Sequence, residues 1–414
     1  MSSINLSEDD KKNQIIINSA ENEKSKEQKT NNDENQLKNQ DNGFTSFSAA
    51  VQDPKNYESV KTIVSAFFNY QLDSLKDIER MERDFKLIGE KYTKRLPFNY
   101  KERLEKLKNA IAQNYSFLVK IASPFSSLFK IIKYPSGETY LERLTVPPYE
   151  TVSIKSNLRL FVRDWSEEGA EERNQAYNPI LEEIKSYFKN KTKKDYQNGI
   201  KVLVPGAGLG RLMFEIAKLG FKVEGNEFSF NMLLFYNYFF SSSPPKKNEI
   251  TIQPFIHILS NLLNFETAFK KVMIPDVDIK EELSKTDTGS LYMLGGDFCA
   301  AYKDKINNFD CVATCFFIDT AFNIVEYIET IYNTLKTDGL WINIGPLLYH
   351  HTSDINAISI ELGWNEIKEV IKGYGFEFTK EEIIETTYST DKDCMIKKVY
   401  RCIFFTAIKK EIKN

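Results

Sequence analysis

From residue 196 onward the chain reads as an α/β fold, a mostly parallel sheet with helices on both faces, and a helical region stands before it. Three observations lead there. Short apolar runs alternate with helix-period segments after Asp195, the pattern of strands joined by crossover helices. A glycine-rich turn links the first of those runs directly to a helix, as happens where a parallel strand delivers a ligand-binding loop. Between residues 54 and 195 the apolar side chains instead recur mostly at three- and four-residue steps, the spacing of one helical face.

Residues 1–53 are dominated by Asn, Lys, Glu, Gln, Asp and Ser, and "ENEKSKEQKTNNDENQLKNQDNG" holds one apolar residue. Such a stretch buries too little surface to offset chain entropy, so a disordered tail without chemistry is expected. From Tyr57 to Leu87 the residues Val60, Ile63, Val64, Phe67, Phe68, Leu72, Leu75, Ile78 and Phe85 predict a long helix, and "YKERLEKLKNAIAQNYSFLVKIA" predicts a second. The segments "GIKVLVPG", "FKVEGNEFS", "FDCVATCFFID", "GLWINIGP" and "VYRCIFFTAIK" read as strands, most of them separated by helices such as "RLMFEIAKLG" and "IVEYIETIYNTLKT".

Composition narrows the function. With 42% hydrophobic and 27% charged residues and a net charge of −3, the chain offers no basic footprint for nucleic acid. The five cysteines, Cys299, Cys311, Cys315, Cys394 and Cys402, show no paired spacing for zinc and suit free thiols in a reducing compartment. No leader-like or membrane-length apolar run is present. A cytoplasmic protein is expected, with the nucleus left open, acting on a small molecule without a membrane or nucleic-acid partner and compatible with a homodimer.

The stretch "KVLVPGAGLGRLMFEIAKLGFKVEGNEFS", residues 201–229, holds the first site candidates. Gly206, Gly208 and Gly210 sit between strand and helix, where glycine lets backbone approach a ligand at a positive helix end; a structural tight turn is the alternative. Glu227 lies 21 residues beyond Gly206 at the end of the next strand, where a carboxylate accepts ribose hydroxyls. The spacing is GxGxG rather than the GxGxxG of dinucleotide sites, which favours a cofactor with adenosine but no phosphates, S-adenosylmethionine. "GGDF", residues 295–298, adds Asp297 for an adenine amino group and Phe298 for the ring, a plain turn being the other reading. "LKTDGLWINIGP" reads as a helix end, a turn and a strand of the sort that precedes the terminal hairpin in methyltransferases of this architecture, with "VYRCIFFTAI" as the antiparallel insertion. Val204 stands two residues before the first glycine, where many methyltransferases carry an acid, so the methionine ammonium needs another partner.

Together "VLVPGAGLGRL", "GNEFS", "GDF", "CVATCFFIDTA" and "WINIGPLLYH" resemble the carnosine N-methyltransferase (N2227-like) family, over roughly residues 55–410. The resemblance implies a Rossmann-like class I methyltransferase with a seven-stranded, mostly parallel sheet. It implies methylation of the imidazole of carnosine (β-alanyl-histidine) to anserine. It carries Gly206, Glu227, Asp297, Phe298 and Cys315 over as cofactor contacts, the last through its backbone; a buried structural cysteine is an equal account of that thiol. In "FVRDWSEEGAEERNQAYNPIL", Arg163 matches the family's cofactor-reaching arginine, whereas Leu160 stands where the family has glutamine.

Four residues are expected at the acceptor. Asp319 follows the fourth strand, at the edge where open α/β sheets bind ligands, though capping of the next helix is an alternative. His350 follows the fifth strand, and with it the family places Tyr388 and Tyr400 against the dipeptide, either of which is also accountable as packing. Asp319 and His350 are the expected catalytic pair, holding the imidazole neutral in one tautomer. Two further readings stay open: the same transfer to a histidine of another peptide or protein, and a nicotinamide-dependent oxidoreductase. A non-catalytic interaction protein is a third.

Overall fold

The computed structural model describes residues 54–133, 139–142, 144–190, 199–352 and 359–411. The expected polar tail, residues 1–53, lies outside the described residues. Among them no helix is long and apolar enough to cross a membrane.

Among the described residues four long helices precede the sheet: α1 (Pro54–Ile88), α2 (Tyr100–Ala122), α3 (Pro148–Trp165) and α4 (Ala170–Tyr187). The first two coincide with the predicted pair. On α1 the buried positions Val60, Val64, Phe67 and Tyr70 form one stripe. Helix α2 starts where Asn99 accepts from the amides of Lys101 and Glu102, satisfying donors that the first turn leaves unpaired. Between α2 and α3 a short antiparallel pair, β1 (Ile131–Lys133) and β2 (Thr139–Leu141), interrupts the helices.

Beyond residue 199 the strands are β3 (Lys201–Pro205), β4 (Lys222–Glu227), β5 (Ile250–Ile252), β6 (Val272–Ile274), β7 (Ser290–Gly295), β8 (Phe309–Cys315), β9 (Leu335–Gly345), β10 (Phe376–Thr386) and β11 (Tyr400–Lys409). Seven of them form one sheet in the order β10-β11-β9-β8-β3-β4-β7. β11 is antiparallel to both β9 and β10, and the remaining neighbours are parallel. This is the class I methyltransferase arrangement, with the late strand inserted antiparallel as predicted. Order reverses between β3 and β8, which opens a crevice beyond their carboxyl ends.

Both faces of the sheet are buried, which is why its central strands read as continuous apolar runs. Along β3, Val202 and Val204 face a cluster shared with α1–α4, and Leu203 faces the other side. Phe404 of β11 and Ile342 of β9 join the first cluster; Phe405 and Trp341 join the second, under α7 (Ile324–Thr334) and α8 (Trp364–Gly373), after α5 (Arg211–Lys218) and α6 (Phe230–Phe239). The N-terminal helices therefore do not have a core to themselves; their apolar faces cover one side of the sheet.

One boundary differs from the sequence reading. Helix α7 stops at Thr334 and "LKT" already belongs to β9, where Asp338 turns with φ 58°. Pairing of Phe309 with Leu335 beside β8 outweighs the helical preference of that tripeptide.

Candidate active site

At the carboxyl ends of β3, β4 and β8 lies a cavity of about 540 Å³. Its lining includes Arg163, Gly206, Glu227, Asp297, Phe298, Cys315, His350 and Tyr388, eight of the residues singled out from sequence, contributed by seven separate stretches of chain. Asp319 and Tyr400 are not part of the lining.

The glycine turn is shaped by close approach. Gly206 has φ 63°, and a Cβ there would meet the Phe317 ring at 2.5 Å. Gly210 has φ 79°, and its Cβ would meet Tyr236 at 2.7 Å. Only glycine satisfies both conditions. The turn's amides are largely spent within the protein: Ala207 donates to the Asn226 carbonyl at 2.9 Å, Gly208 to Glu227 Oε2 at 2.8 Å and Gly210 to the Ala207 carbonyl at 2.9 Å.

Glu227 closes this turn. Its Oε1 accepts the Ser229 amide at 2.8 Å, so one carboxylate ties the end of β4 to both neighbouring loops. Burial raises its pKa, and the backbone donors offset part of that rise. Each oxygen keeps a lone pair beyond its amide bond. Asp297 caps the short helix Phe298–Tyr302 by accepting the Ala300 amide at 2.8 Å, and Phe298 packs edge-on to Phe317 at 5.3 Å. The capping reading of Asp297 is thus observed, at a position that still lines the cavity.

Arg163 enters from the last turn of α3. Its guanidinium lies over Tyr388 at 4.4 Å, Tyr177 at 5.3 Å and Phe316 at 5.6 Å, with Nη2 3.9 Å from Cys315 Sγ. Burial pushes the Cys315 thiol up to about 12, so it stays protonated. Two arginines fix the end of α3. Arg173 Nη1 donates to the carbonyls of Arg163 (2.7 Å) and Ser166 (2.8 Å), and Arg211 Nη1 to that of Asp164 (2.7 Å). Asp276 bridges both guanidinium groups, at 2.7 and 2.6 Å. Leu160 lines the cavity as an apolar residue.

The acceptor candidates surround the end of β8. Phe316 sits there with φ 53°, a region costly for a bulky residue, and its ring meets Tyr388 at 4.8 Å and Tyr400 at 5.9 Å. Asp319 is buried; its Oδ2 accepts the Leu348 amide at 2.9 Å, and its carbonyl accepts the His350 amide at 3.4 Å. Asp319 therefore straps the His350 loop to the end of β8, and burial raises its carboxyl pKa. Capping of α7 falls to Asn323 instead. His257 lies elsewhere, 2.7 Å from the Tyr70 hydroxyl among the N-terminal helices.

Sequence reasoning missed Asp164, Tyr177 and Phe316, which also line the cavity. The available signal was adjacency: Asp164 follows Arg163 in "FVRDW", and Phe316 follows Cys315.

The family model described as carnosine N-methyltransferase matches residues 142–411. A mouse protein named carnosine N-methyltransferase is 37% identical over 350 residues, covering 84% of this chain and 85% of that one. A Dictyostelium discoideum protein of the same name is 37% identical over 359 residues, covering 85% and 76%. One from Schizosaccharomyces pombe is 34% identical over 363 residues, covering 84% and 95%. With two thirds of the chain under one family model and its fold that of a class I methyltransferase, the chain belongs to the carnosine N-methyltransferase family.

Proposed function

We propose that this protein is an S-adenosylmethionine-dependent N-methyltransferase that methylates the imidazole of carnosine to give anserine. The observation that carries the cofactor assignment is the hydrogen bonding of the glycine turn. With the amides of Ala207, Gly208 and Gly210 already engaged, the turn offers little to a pyrophosphate. Glu227 and Arg163, in contrast, present a carboxylate and a buried cation to the same cavity. This favours an adenosine joined to an amino acid over a nicotinamide dinucleotide. The mouse and Dictyostelium relatives' shared name supports carnosine as acceptor.

The residues present fit that cofactor. Glu227 is placed for the ribose hydroxyls, Phe298 and Phe317 for the adenine face, and Arg163 for the carboxylate, its buried Nε having no hydrogen-bond partner. When bound, S-adenosylmethionine supplies an electrophilic methyl group on a sulfonium. The chain's own contribution is placement, which for oriented reactants is worth roughly 7–11 kcal/mol. An imidazole attacks only through a free lone pair, so its N–H must be held from the far side. His350, in the cavity wall, takes that position, with Tyr388 flanking the remainder of the dipeptide and Tyr400 supporting that wall through Phe316. Asp319 sets the His350 loop and lends negative charge as the ring becomes cationic.

Mass spectrometry after incubation with S-adenosylmethionine and carnosine tests the reading. Anserine is the expected product. Methylation of histidine in added protein, with carnosine untouched, would replace the acceptor while keeping the chemistry.

A further inference from the structure

The amino-acid end of the cavity holds an acid that the sequence pattern did not assign. Val204 occupies the place where an acid is usual, and Leu160, also in the lining, is apolar. The other lining carboxylates lie elsewhere. Glu227 is tied to the glycine turn, Asp297 caps the helix that begins at Phe298, and Glu326 lies in the first turn of α7. Asp164 remains. It adjoins Arg163, and both are buried, at 5% and 7% exposure.

We infer that Asp164 binds the α-ammonium of the cofactor's amino-acid end, while Arg163 takes the neighbouring carboxylate; the inference rests on S-adenosylmethionine being the cofactor. The two side chains form a loose ion pair with no hydrogen bond between them. Arg163 Nε is 3.7 Å from Asp164 Oδ1 and makes no hydrogen bond although fully enclosed. Asp164 Oδ1 accepts the Tyr177 hydroxyl at 2.9 Å, and among the described residues Oδ2 takes no hydrogen bond. A buried charge left so is costly unless a ligand completes it.

An amino acid's ammonium and carboxylate share one carbon, so an acid and a cation on adjoining positions can meet both. Successive residues at the end of α3 provide this. The pair is also held rigid from outside, because Arg173 and Arg211 pin the Arg163 and Asp164 carbonyls. Preorganisation of that kind spares the ordering cost of binding.

Calorimetry on the full chain, with S-adenosylhomocysteine and its desamino analogue as probes, tests this. The wild type is expected to favour S-adenosylhomocysteine by roughly tenfold to a hundredfold, the range of a hydrogen bond to a charged group. Asp164→Asn, which keeps an acceptor for Tyr177, is expected to lose that factor on S-adenosylhomocysteine and to bind the desamino analogue as the wild type does. Equal loss on both ligands, or no loss on either, overturns the assignment. So does a wild type that fails to discriminate between the two, a result that does not depend on the variant folding. A wild type that binds neither ligand overturns the cofactor reading itself.

Discussion

Gly206 stands where β3 turns into the cofactor loop, with φ 63° and the Phe317 ring 2.5 Å from where a Cβ would lie. Gly206→Ala therefore meets both backbone strain and a clash, at a cost of about 1–3 kcal/mol. The expected result is a lowered unfolding midpoint together with weakened S-adenosylhomocysteine binding, since Phe317 lines the same cavity. Calorimetry and thermal unfolding check both halves. Asp319 presents the opposite case: it does not itself line the cavity, yet Leu348 and the lining residue His350 both donate to it. Asp319→Asn is expected to lower kcat on carnosine on the order of a hundredfold, within the range of positioned polar groups, and to leave S-adenosylhomocysteine affinity nearly intact. Unchanged kcat would remove Asp319 from the acceptor site. The glycines and Glu227 were readable because their roles follow from a strand, a turn and the following strand. Asp164 was not, because its partners Tyr177 and Arg211 belong to other elements.

Helix α4 controls the connection between β10 and β11. Glu172 accepts from the Thr387 hydroxyl at 2.9 Å, from the Ser389 amide and from the Thr390 amide at 3.1 Å. Gln175 accepts the Thr387 amide at 3.2 Å. Between these anchors Tyr388 is laid against Arg163 and Phe316. Glu172→Ala removes an acceptor from several partly buried donors, a loss of about 1 kcal/mol, and releases the segment that carries Tyr388. Expected outcomes are a raised KM for carnosine, little change in S-adenosylhomocysteine affinity, and faster proteolysis within residues 387–399. An unaltered KM would show that the connection is held without Glu172. Strand β10 explains a further gap in the sequence reading. It is an edge strand whose "TKEEIIE" stretch is largely exposed, and charged edges of this sort prevent pairing with other chains while hiding the apolar alternation that would announce a strand.

Across the whole molecule, the N-terminal helices are bonded to the segment after β5 by a buried polar group. Tyr70, Asn114 and His257 form it, with Tyr70 to His257 at 2.7 Å and Asn114 to the Gln253 carbonyl at 2.9 Å. Burial, reinforced by Lys155 and Arg159 and opposed by Asp77, lowers the His257 pKa from 6.5 to about 3. The unfolded chain then binds the additional proton between those values, so stability is full above pH 6.5 and falls as pH drops toward 3. The slope from this one group is up to about 1.4 kcal/mol per pH unit. His257→Gln is expected to flatten the acid limb of a denaturant-midpoint profile over that window. Parallel profiles for variant and wild type would show that His257 does not link protonation to folding.

The alternation of apolar runs, the two predicted N-terminal helices and the glycine turn are local patterns, written in the chain's own order and imposed by backbone geometry and burial. From them came the sheet and the expectation of an adenosine cofactor, while the antiparallel last strand followed from the likeness to methyltransferases of this architecture. What waited for the three-dimensional arrangement was every feature made of distant partners. The end of α3 is tied to α4, α5 and the segment after β6 by Arg173, Arg211 and Asp276. Asp319 is placed behind the cavity wall rather than in it, and Asp164 is brought to the cavity with the Tyr177 hydroxyl on its Oδ1. Long-range contacts of this kind depend on which faces pack together, and a periodicity along the chain does not encode that.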